Sequence, residues 1–247
     1  MARPTTPSES LADLLTHQAT HDLPTAPEAT IVELLRAMVR HPDYPCLGAR
    51  SVFRRDSADV LVLDDLTDTS DGGSLDQLGA ALRRFGASAT GDGASMVYLV
   101  SLVATFRGPL PASEEDFEKG LWAALRHLHR RDEQPWAPEV SADPASRHFS
   151  FSYAGTAYFV VGMHPAASRI GRRTPLPTLV FNLHAQFERL RSDARFARIR
   201  ETIRRRDLAL NGSTNPMLED YGVNSEARQY AGRAVPADWR APFPKEP

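Results

Sequence analysis

The sequence predicts an α+β fold, a single domain in which helices pack on a mixed, mostly antiparallel sheet. Its 247 residues, of which 42% are apolar and 24% charged, are sufficient for one globular domain with a substantial core. Two apolar stretches, residues 149–153 and 156–161, flank an Ala-Gly pair and predict a β-hairpin. The predicted strands and helices do not alternate regularly, as they do in a doubly wound fold, and this favours α+β.

The first third of the chain predicts helices and a pair of short strands. Residues 1–27 are rich in Pro, Ser, Thr and Ala and predict a flexible segment ahead of the domain. Apolar residues recur with helical spacing over residues 28–39 and again over residues 75–85, so each stretch predicts a helix. Between them, residues 50–66 predict two short strands joined by a turn at residues 56–59.

The remaining elements follow from apolar runs and helix-start signals. Residues 96–106 are almost continuously apolar and β-branched, which predicts an interior strand. A serine followed by three acidic residues begins a predicted helix over residues 113–130. Residues 178–181 predict a short strand or a turn, residues 183–208 a long helix with arginines on its outer side, and residues 225–230 a short helix.

Composition excludes several classes of protein. The single cysteine, Cys46, excludes an intrachain disulfide framework, a multi-cysteine zinc site and a covalent c-type haem. No apolar run approaches the ~18 residues that a membrane span needs, and the N-terminus lacks a signal pattern, so we expect a cytoplasmic protein without membrane partners. The net charge of −2 argues against a globally basic nucleic-acid binder.

The clearest functional signal is a histidine followed by a cluster of arginines. His164 ends the second strand of the predicted hairpin, and the proline after it prevents the strand from continuing. Arg169, Arg172 and Arg173 follow, and guanidinium groups bind carboxylates and phosphates through paired hydrogen bonds. The pattern indicates an anionic cofactor or substrate. The alternatives are a surface imidazole in a His-Pro turn and a solvated basic loop.

Other polar residues allow both functional and structural interpretations. His184, near the start of the long helix, is a second ligand, a hydrogen-bond donor or an ordinary helix-start histidine. Cys46 is a thiolate ligand or a small buried apolar group. Residues 215–230 concentrate hydrogen-bonding side chains that either pair with one another or line a pocket. None of these patterns names a reaction.

Several ordered motifs together resemble the YqcI/YcgG family, over about residues 28–243. They are His-Pro-x-x-Ser-Arg-x-x-Arg-Arg at 164–173, Val-Phe-Asn-x-His-x-Gln-Phe at 180–187, Ile-Arg-x-Arg-Asp at 203–207, Asn-Pro-Met-Leu at 215–218, Ser-Glu-Ala-Arg-Gln-Tyr-x-Gly-Arg at 225–233, Tyr-Pro-Cys at 44–46 and Trp-x-x-Pro-Phe at 239–243. Members often carry cysteine where this chain has Ala241, so no role of that cysteine applies here.

This family contains the haem-dependent guanidine N-hydroxylases of guanitoxin and D-cycloserine biosynthesis. The resemblance implies haem b (iron protoporphyrin IX), O2 or peroxide as oxidant, an electron donor, and a guanidino substrate such as L-arginine. We therefore expect a monooxygenase of natural-product biosynthesis that makes Nω-hydroxy-L-arginine, with residues 28–247 as its haem-binding domain. The alternative is a haem-binding sensor or carrier without turnover. A third interpretation, an RNA-binding module, lacks the exposed aromatic residues that such modules use, and we expect no nucleic-acid partner.

The resemblance also suggests which residues contact the haem. A neutral imidazole ligates iron, and haem propionates favour arginines. His164 is the first candidate for the axial ligand, and His184 and Cys46 are the second and third. Arg169, Arg172 or Arg173 are expected to hold the propionates.

The substrate is expected to meet a carboxylate, because a guanidinium–carboxylate pair fixes which nitrogen faces the oxidant. Glu226 is the leading candidate for this carboxylate and Asp220 the next. Arg228 or Asn215 is expected to bind the substrate's own carboxylate. Glu226 and His184 are thus the predicted catalytic residues.

Overall fold

The protein has an α+β fold built on one five-stranded sheet, which confirms the predicted class. The structure, a computed structural model, describes residues 9–18, 22–90, 99–192, 196–217, 219 and 222–244. The strands are β1 (Ala58–Asp65), β2 (Ser101–Gly108), β3 (Phe151–Tyr153), β4 (Thr156–Met163) and β5 (Thr178–Leu183). Their order is β1-β2-β5-β4-β3, in which β1 and β2 are parallel and all other pairs antiparallel.

Eight helices surround this sheet in the described part of the chain. They are α1 (Leu11–Gln18), α2 (Glu28–Arg40), α3 (Leu47–Arg54), α4 (Ser74–Thr90), α5 (Glu114–Arg130), α6 (His184–Ser192), α7 (Phe196–Asn211) and α8 (Ala227–Tyr230). One hydrophobic core joins α4, α5 and α8 to the sheet, and a second joins α1, α2 and α3 to it. None of the described helices is long and apolar enough to cross a membrane.

Strand β2 is an interior strand, as its apolar run predicts. Its neighbours are β1 on one side and β5 on the other. Leu102, Ala104 and Phe106 belong to the α4–α5 core, whereas Val103 belongs to the α1–α3 core. Both faces of β2 are therefore covered, and this explains why its sequence is apolar without alternation. Of the predicted strand, residues 96–98 lie outside the described residues.

The two strands predicted for residues 50–66 are wrong, because the first is a helix. Helix α3 begins after Cys46, whose Sγ accepts a hydrogen bond from the Ala49 N–H at 3.4 Å. Val52 and Phe53 are buried in the α1–α3 core. Asp56, with a φ of 57°, then turns the chain into the single strand β1. The apolar run at residues 52–53 is too short for its pattern to distinguish a strand from a packed helix.

The segment predicted to be flexible is partly helical and packed on the domain. Helix α1 buries Leu11, and the Gln18 side chain donates a hydrogen bond to the Leu34 carbonyl at 3.0 Å. A short 3-10 helix, Leu23–Thr25, buries Leu23 against the same core. Few apolar residues suffice here because they complete a core that the rest of the chain provides. Residues 1–8 and 19–21 lie outside the description.

The segment predicted as one long helix is described as α6 and α7, on either side of residues 193–195. Leu183 is the last residue of β5, so the short strand predicted at 178–181 is longer than expected. Helix α6 ends at Ser192 and α7 begins at Phe196, and the residues between them lie outside the description. The arginine-rich sequence continues through both helices, as the prediction expected.

Helix α4 packs very closely on the β3–β4 hairpin at two glycines. A Cβ atom on Gly79 would lie 2.5 Å from the Tyr153 hydroxyl, and one on Gly86 would lie 2.7 Å from the Tyr158 hydroxyl. The Tyr158 hydroxyl also donates to the Leu82 carbonyl at 3.1 Å. Glycine at these two positions therefore sets the distance between helix and sheet.

Replacing either glycine by alanine should destabilise the fold. Alanine gains ~1 kcal/mol of helix propensity, but overpacking against the rigid tyrosines should cost about 1–3 kcal/mol. Gly48→Ala in α3 is the matched control, because its Cβ would meet only Leu99, at 3.5 Å, and Cys46. Urea unfolding should show losses for Gly79→Ala and Gly86→Ala and none for Gly48→Ala. Equal effects of all three would refute the tight contact.

Candidate functional site

The predicted site residues fall into two groups at opposite ends of strand β4. Met163, the last residue of β4, pairs with Thr178, whereas Tyr158 pairs with Leu183. His164 therefore lies at one end of the sheet and His184 at the other. Tyr158 and His164 are six positions apart. A strand rises about 3.3 Å per residue, so their Cα atoms are roughly 20 Å apart.

His164 is a buried, neutral imidazole. Its relative exposure is 1%, and its ring stacks on Phe117 with centroids 4.3 Å apart and planes at 23°. Neither ring nitrogen has a hydrogen-bond partner among the described residues. Burial lowers the pKa of His164 to about 4; Arg172 lowers it further, whereas Glu114 opposes the shift. The structure thus excludes a surface imidazole in a His-Pro turn.

Arg172 lies next to this histidine and joins two segments of backbone. Its guanidinium donates to the carbonyls of Gly162, at 3.0 Å, and Gln229, at 3.2 Å. It forms no ion pair with a carboxylate of the described residues. Burial lowers the pKa of Arg172, and Tyr44 and Cys46 oppose that shift. Arg172 is thus a largely buried cation whose hydrogen bonds go to neutral carbonyls, while the Asp207 carboxylate acts on it electrostatically.

The other two arginines of this loop are engaged in different ways. Arg169 forms an ion pair with Asp207 at 2.6 Å and donates to the Ser213 carbonyl at 2.6 Å. Arg173 donates to the Ala167 carbonyl at 2.7 Å. Arg169 thus attaches the loop to α7, and Arg173 attaches one part of the loop to another. The loop is therefore not merely a solvated basic segment. Of the three arginines expected to hold propionates, Arg169 already has a carboxylate.

Cys46 caps helix α3 and belongs to the His164 end of the sheet. Its thiol is half-buried and interacts electrostatically with Tyr44 and Arg172. The Tyr44 hydroxyl lies 4.0 Å from the Met163 sulfur, on the sheet face opposite His164. We call His164, Arg172, Tyr44 and Cys46 the His164 group.

Glu226 lies at the other end, in a closed hydrogen-bond network. Its relative exposure is 2%, and its Oε1 accepts hydrogen bonds from the Ser150 and Tyr230 hydroxyls, both at 2.6 Å. Burial raises the pKa of Glu226 to about 7, although the two hydrogen bonds oppose the shift. Glu226 therefore holds a proton over much of the acidic and neutral range.

His184 shares charged neighbours with Glu226. It is buried at the start of α6, and its Nε2 lies 3.5 Å from the Glu188 carboxylate. Burial lowers its pKa, while Glu188 opposes the shift. Glu188 and Arg191 also act on Glu226. The structure thus brings the two predicted catalytic residues to one end of the sheet. We call Glu226, Ser150, Tyr230 and His184 the Glu226 group.

The remaining predicted substrate ligands make contacts within the C-terminal segment. Arg228 donates to the carbonyls of Val235, at 3.2 Å, and Pro236, at 3.1 Å. The Asn215 side chain accepts a hydrogen bond from the Met217 N–H at 3.0 Å. Asp220 lies outside the described residues. The roles of these residues in substrate binding stay predictions.

Helix α8 and its flanks connect the two groups. Tyr230 binds Glu226 through its hydroxyl, and Gln229 binds Arg172 through its carbonyl. A Cβ atom on Gly162 would lie 2.7 Å from the Tyr230 carbonyl oxygen and 2.6 Å from Phe117. The segment is therefore packed directly on β4 and contacts both groups.

Phe117 and Ser150 were not predicted as site residues, and Tyr230 was predicted only as part of the polar segment whose side chains pair with one another or line a pocket. A Phe-Ser-Phe-Ser-Tyr strand normally places its serines toward solvent, but Ser150 is completely buried here. The spacing of Glu226 and Tyr230 was the available signal, because side chains four residues apart meet on one helix face. Nothing in the sequence indicated that Phe117 would stack on His164.

The chain is similar to a known protein family and to one curated protein. A family model described as the YqcI/YcgG family matches residues 35–244. The chain belongs to the YqcI/YcgG family. A YqcI/YcgG relative, "Uncharacterized protein YcgG" of Bacillus subtilis (strain 168), is 26% identical over 196 residues, which cover 76% of this chain and 75% of that protein. No solved structure matches the chain.

Replacing Glu226 by Gln should remove a pH-dependent loss of stability. A carboxyl whose pKa is raised from 4.5 to about 7 stabilises the fold fully below pH 4.5, and this contribution is lost as the pH rises through 7. The shift corresponds to roughly 3 kcal/mol. Between pH 5 and pH 9, the free energy of unfolding of the wild type should fall relative to that of Glu226→Gln.

Glu133→Gln is the matched control, because Glu133 is exposed and is not among the groups that act on Glu226. Its free energy of unfolding should follow the wild-type pH dependence closely. Parallel curves for the wild type and Glu226→Gln would contradict a buried, protonated Glu226.

Proposed function

We propose that the protein is a haem-dependent monooxygenase that hydroxylates a guanidino nitrogen, with L-arginine as substrate and Nω-hydroxy-L-arginine as product. The proposal is supported by the ordered motifs that resemble the haem-dependent guanidine N-hydroxylases, all of which lie in the part of the chain that the family model matches. It places the protein in natural-product biosynthesis, with O2 or peroxide as oxidant and an external electron donor.

The observation that carries the proposal is the unsatisfied imidazole of His164. A buried polar group without a hydrogen bond is costly, and such groups are rare in native proteins. Both nitrogens of His164 are in this state among the described residues, and the ring is neutral at pH 7. A neutral imidazole has a lone pair to donate to iron, so coordination would satisfy one nitrogen. These properties fit an axial haem ligand.

The neighbouring residues fit the rest of the cofactor in part. Arg172 is a largely buried cation whose hydrogen bonds go to backbone carbonyls rather than to a carboxylate, and it would accept a haem propionate. Arg173 would be the second propionate partner, since its known acceptors are also backbone carbonyls. Arg169 fits less well, because Asp207 neutralises it. Bound haem would supply the oxygen-activating chemistry, and the protein would bind and orient the substrate.

The substrate assignment rests on the Glu226 group. Glu226 would bind the guanidinium, and a bound cation favours the ionised carboxylate, so binding would lower its raised pKa. His184 lies on the same side as Glu226, whereas His164 is at the far end of β4. A guanidinium bound at Glu226 can reach the iron only if the iron lies at this end of β4, so Glu226 as substrate ligand goes with His184, and iron at His164 requires a different substrate ligand. The two histidines must therefore be compared as iron ligands in one experiment.

Haem binding should depend on His164. Wild-type protein titrated with haemin should develop a Soret band, and His164→Ala should bind haemin at least about tenfold more weakly. His164→Phe should also lose binding while keeping or gaining stability, because it removes two unsatisfied nitrogens from a buried site. His148→Ala, which changes an exposed histidine, should leave the spectrum unchanged.

His184→Ala completes this comparison. Loss of the Soret band in His184→Ala, with a normal spectrum in His164→Phe, would overturn the assignment of the ligand. If haem binds but mass spectrometry finds no hydroxyarginine with arginine, O2 and a reductant, or with peroxide, the protein is a haem carrier or sensor rather than an oxygenase.

Replacing Glu226 by Gln should weaken arginine binding and leave the haem spectrum intact. The amide keeps the shape of the side chain but cannot carry the charge that pairs with a guanidinium. The spectral change caused by arginine should require at least about tenfold more arginine in this variant, the loss expected for one charge-assisted contact. Normal arginine affinity and turnover in Glu226→Gln would refute the substrate role.

A further inference from the structure

The hydroxyls that bind Glu226 have a second acceptor in common. The Ser150 Oγ lies 3.1 Å and the Tyr230 hydroxyl 3.3 Å from the carbonyl oxygen of Tyr158. Each hydroxyl has a single hydrogen, so it cannot donate to Glu226 and to this carbonyl at once. The Tyr230 oxygen also accepts the Phe151 N–H at 3.0 Å. The two hydroxyl hydrogens are thus shared among four possible contacts, so only two of these hydrogen bonds form at one time.

These contacts allow two arrangements that differ by one proton. When Glu226 is ionised, both hydroxyls donate to its Oε1. When Glu226 is protonated, its new O–H donates to the Ser150 oxygen, and the Ser150 hydrogen turns to the Tyr158 carbonyl. Each arrangement leaves Glu226 with a hydrogen bond and requires only rotation of hydroxyl hydrogens. The heavy atoms stay in place.

The charged groups that face Glu226 from other elements come from α6. Arg191 favours its ionised form, and Glu188 favours its protonated form. The neighbouring phenol of Tyr230 stays neutral, because burial and Glu226 raise its pKa. Burial is the largest influence on Glu226 and brings its pKa to about 7. Either arrangement is therefore accessible near neutral pH.

We propose that Ser150, Glu226 and Tyr230 form a proton-exchange site, in which Glu226 gains or releases one proton while Ser150 and Tyr230 position its carboxyl. Binding of the guanidinium makes Glu226 release its proton, and the site supplies this proton to the reaction; this part rests on the proposed function. Conversion of one N–H to N–OH by O2 consumes two electrons and two protons and releases one water. The same conversion by hydrogen peroxide releases one water and consumes no net proton.

The exchange itself can be measured on haem-free protein by infrared spectroscopy. The band of a protonated carboxyl, identified by its absence from Glu226→Gln, should disappear as the pH rises through about 7. Tyr230→Phe and Ser150→Ala should each move this midpoint upward, because each removes a hydrogen bond that favours the carboxylate. Glu188→Gln should move it downward by removing a like charge.

Two results would overturn the exchange site. One is a band that titrates near 4.5, the ordinary value for glutamate. The other is a midpoint that neither Tyr230→Phe nor Ser150→Ala changes, because the hydroxyls would then not act on Glu226. Using both variants keeps the test decisive if one of them fails to fold.

Turnover tests the use of the proton separately. Ser150→Ala and Tyr230→Phe should lower hydroxyarginine formation with O2 and a reductant by at least about tenfold, and formation with peroxide much less. Equal losses under both conditions would refute the proton supply and indicate a structural role. If the wild type neither binds haem nor forms product, the proposed function and the proton supply fail together, while the infrared titration still decides whether the exchange site exists.

Discussion

The close packing of the C-terminal segment on strand β4 determines the environment of both groups of site residues. Gly162 has no room for a Cβ atom between Phe117 and the Tyr230 carbonyl, so helix α5, β4 and α8 meet at this glycine. Arg172 reinforces the contact by binding carbonyls on both sides of it. His164 lies two residues after Gly162 and therefore on the same face. Its ring is consequently stacked on Phe117 and shielded from water.

With this packing, the buried site residue at one end of β4 lacks hydrogen-bond partners and the one at the other end has two. At one end His164 has two nitrogens and no partner among the described residues, a deficit that a metal or another ligand would satisfy. At the other end Glu226 shares two hydroxyl donors with a backbone carbonyl, an arrangement that can take up a proton. Helix α8 contacts both ends, so ligand binding and protonation are expected to affect each other.

Local sequence patterns predicted the elements that depend on few distant contacts. The hairpin turn is an example: Ala154 and Gly155 adopt φ values of 51° and 71°, as a tight two-residue turn requires. Ser113 caps α5 as expected. Helix α3 and the burial of Ser150 were missed, because both depend on partners far away in sequence. The separation of His164 from Glu226 was also unpredictable, since it follows from the register of β4 with β5 and from the path of α8.

We propose that His164 has no hydrogen-bond partner among the described residues because it ligates haem iron. A crystal structure of the protein grown with haemin tests this most directly. We expect the iron to be bonded to a ring nitrogen of His164, with a propionate at Arg172. Porphyrin bonded instead to His184 or Cys46, or a His164 ring that stays without any ligand in the haem-bound crystal, would contradict the claim.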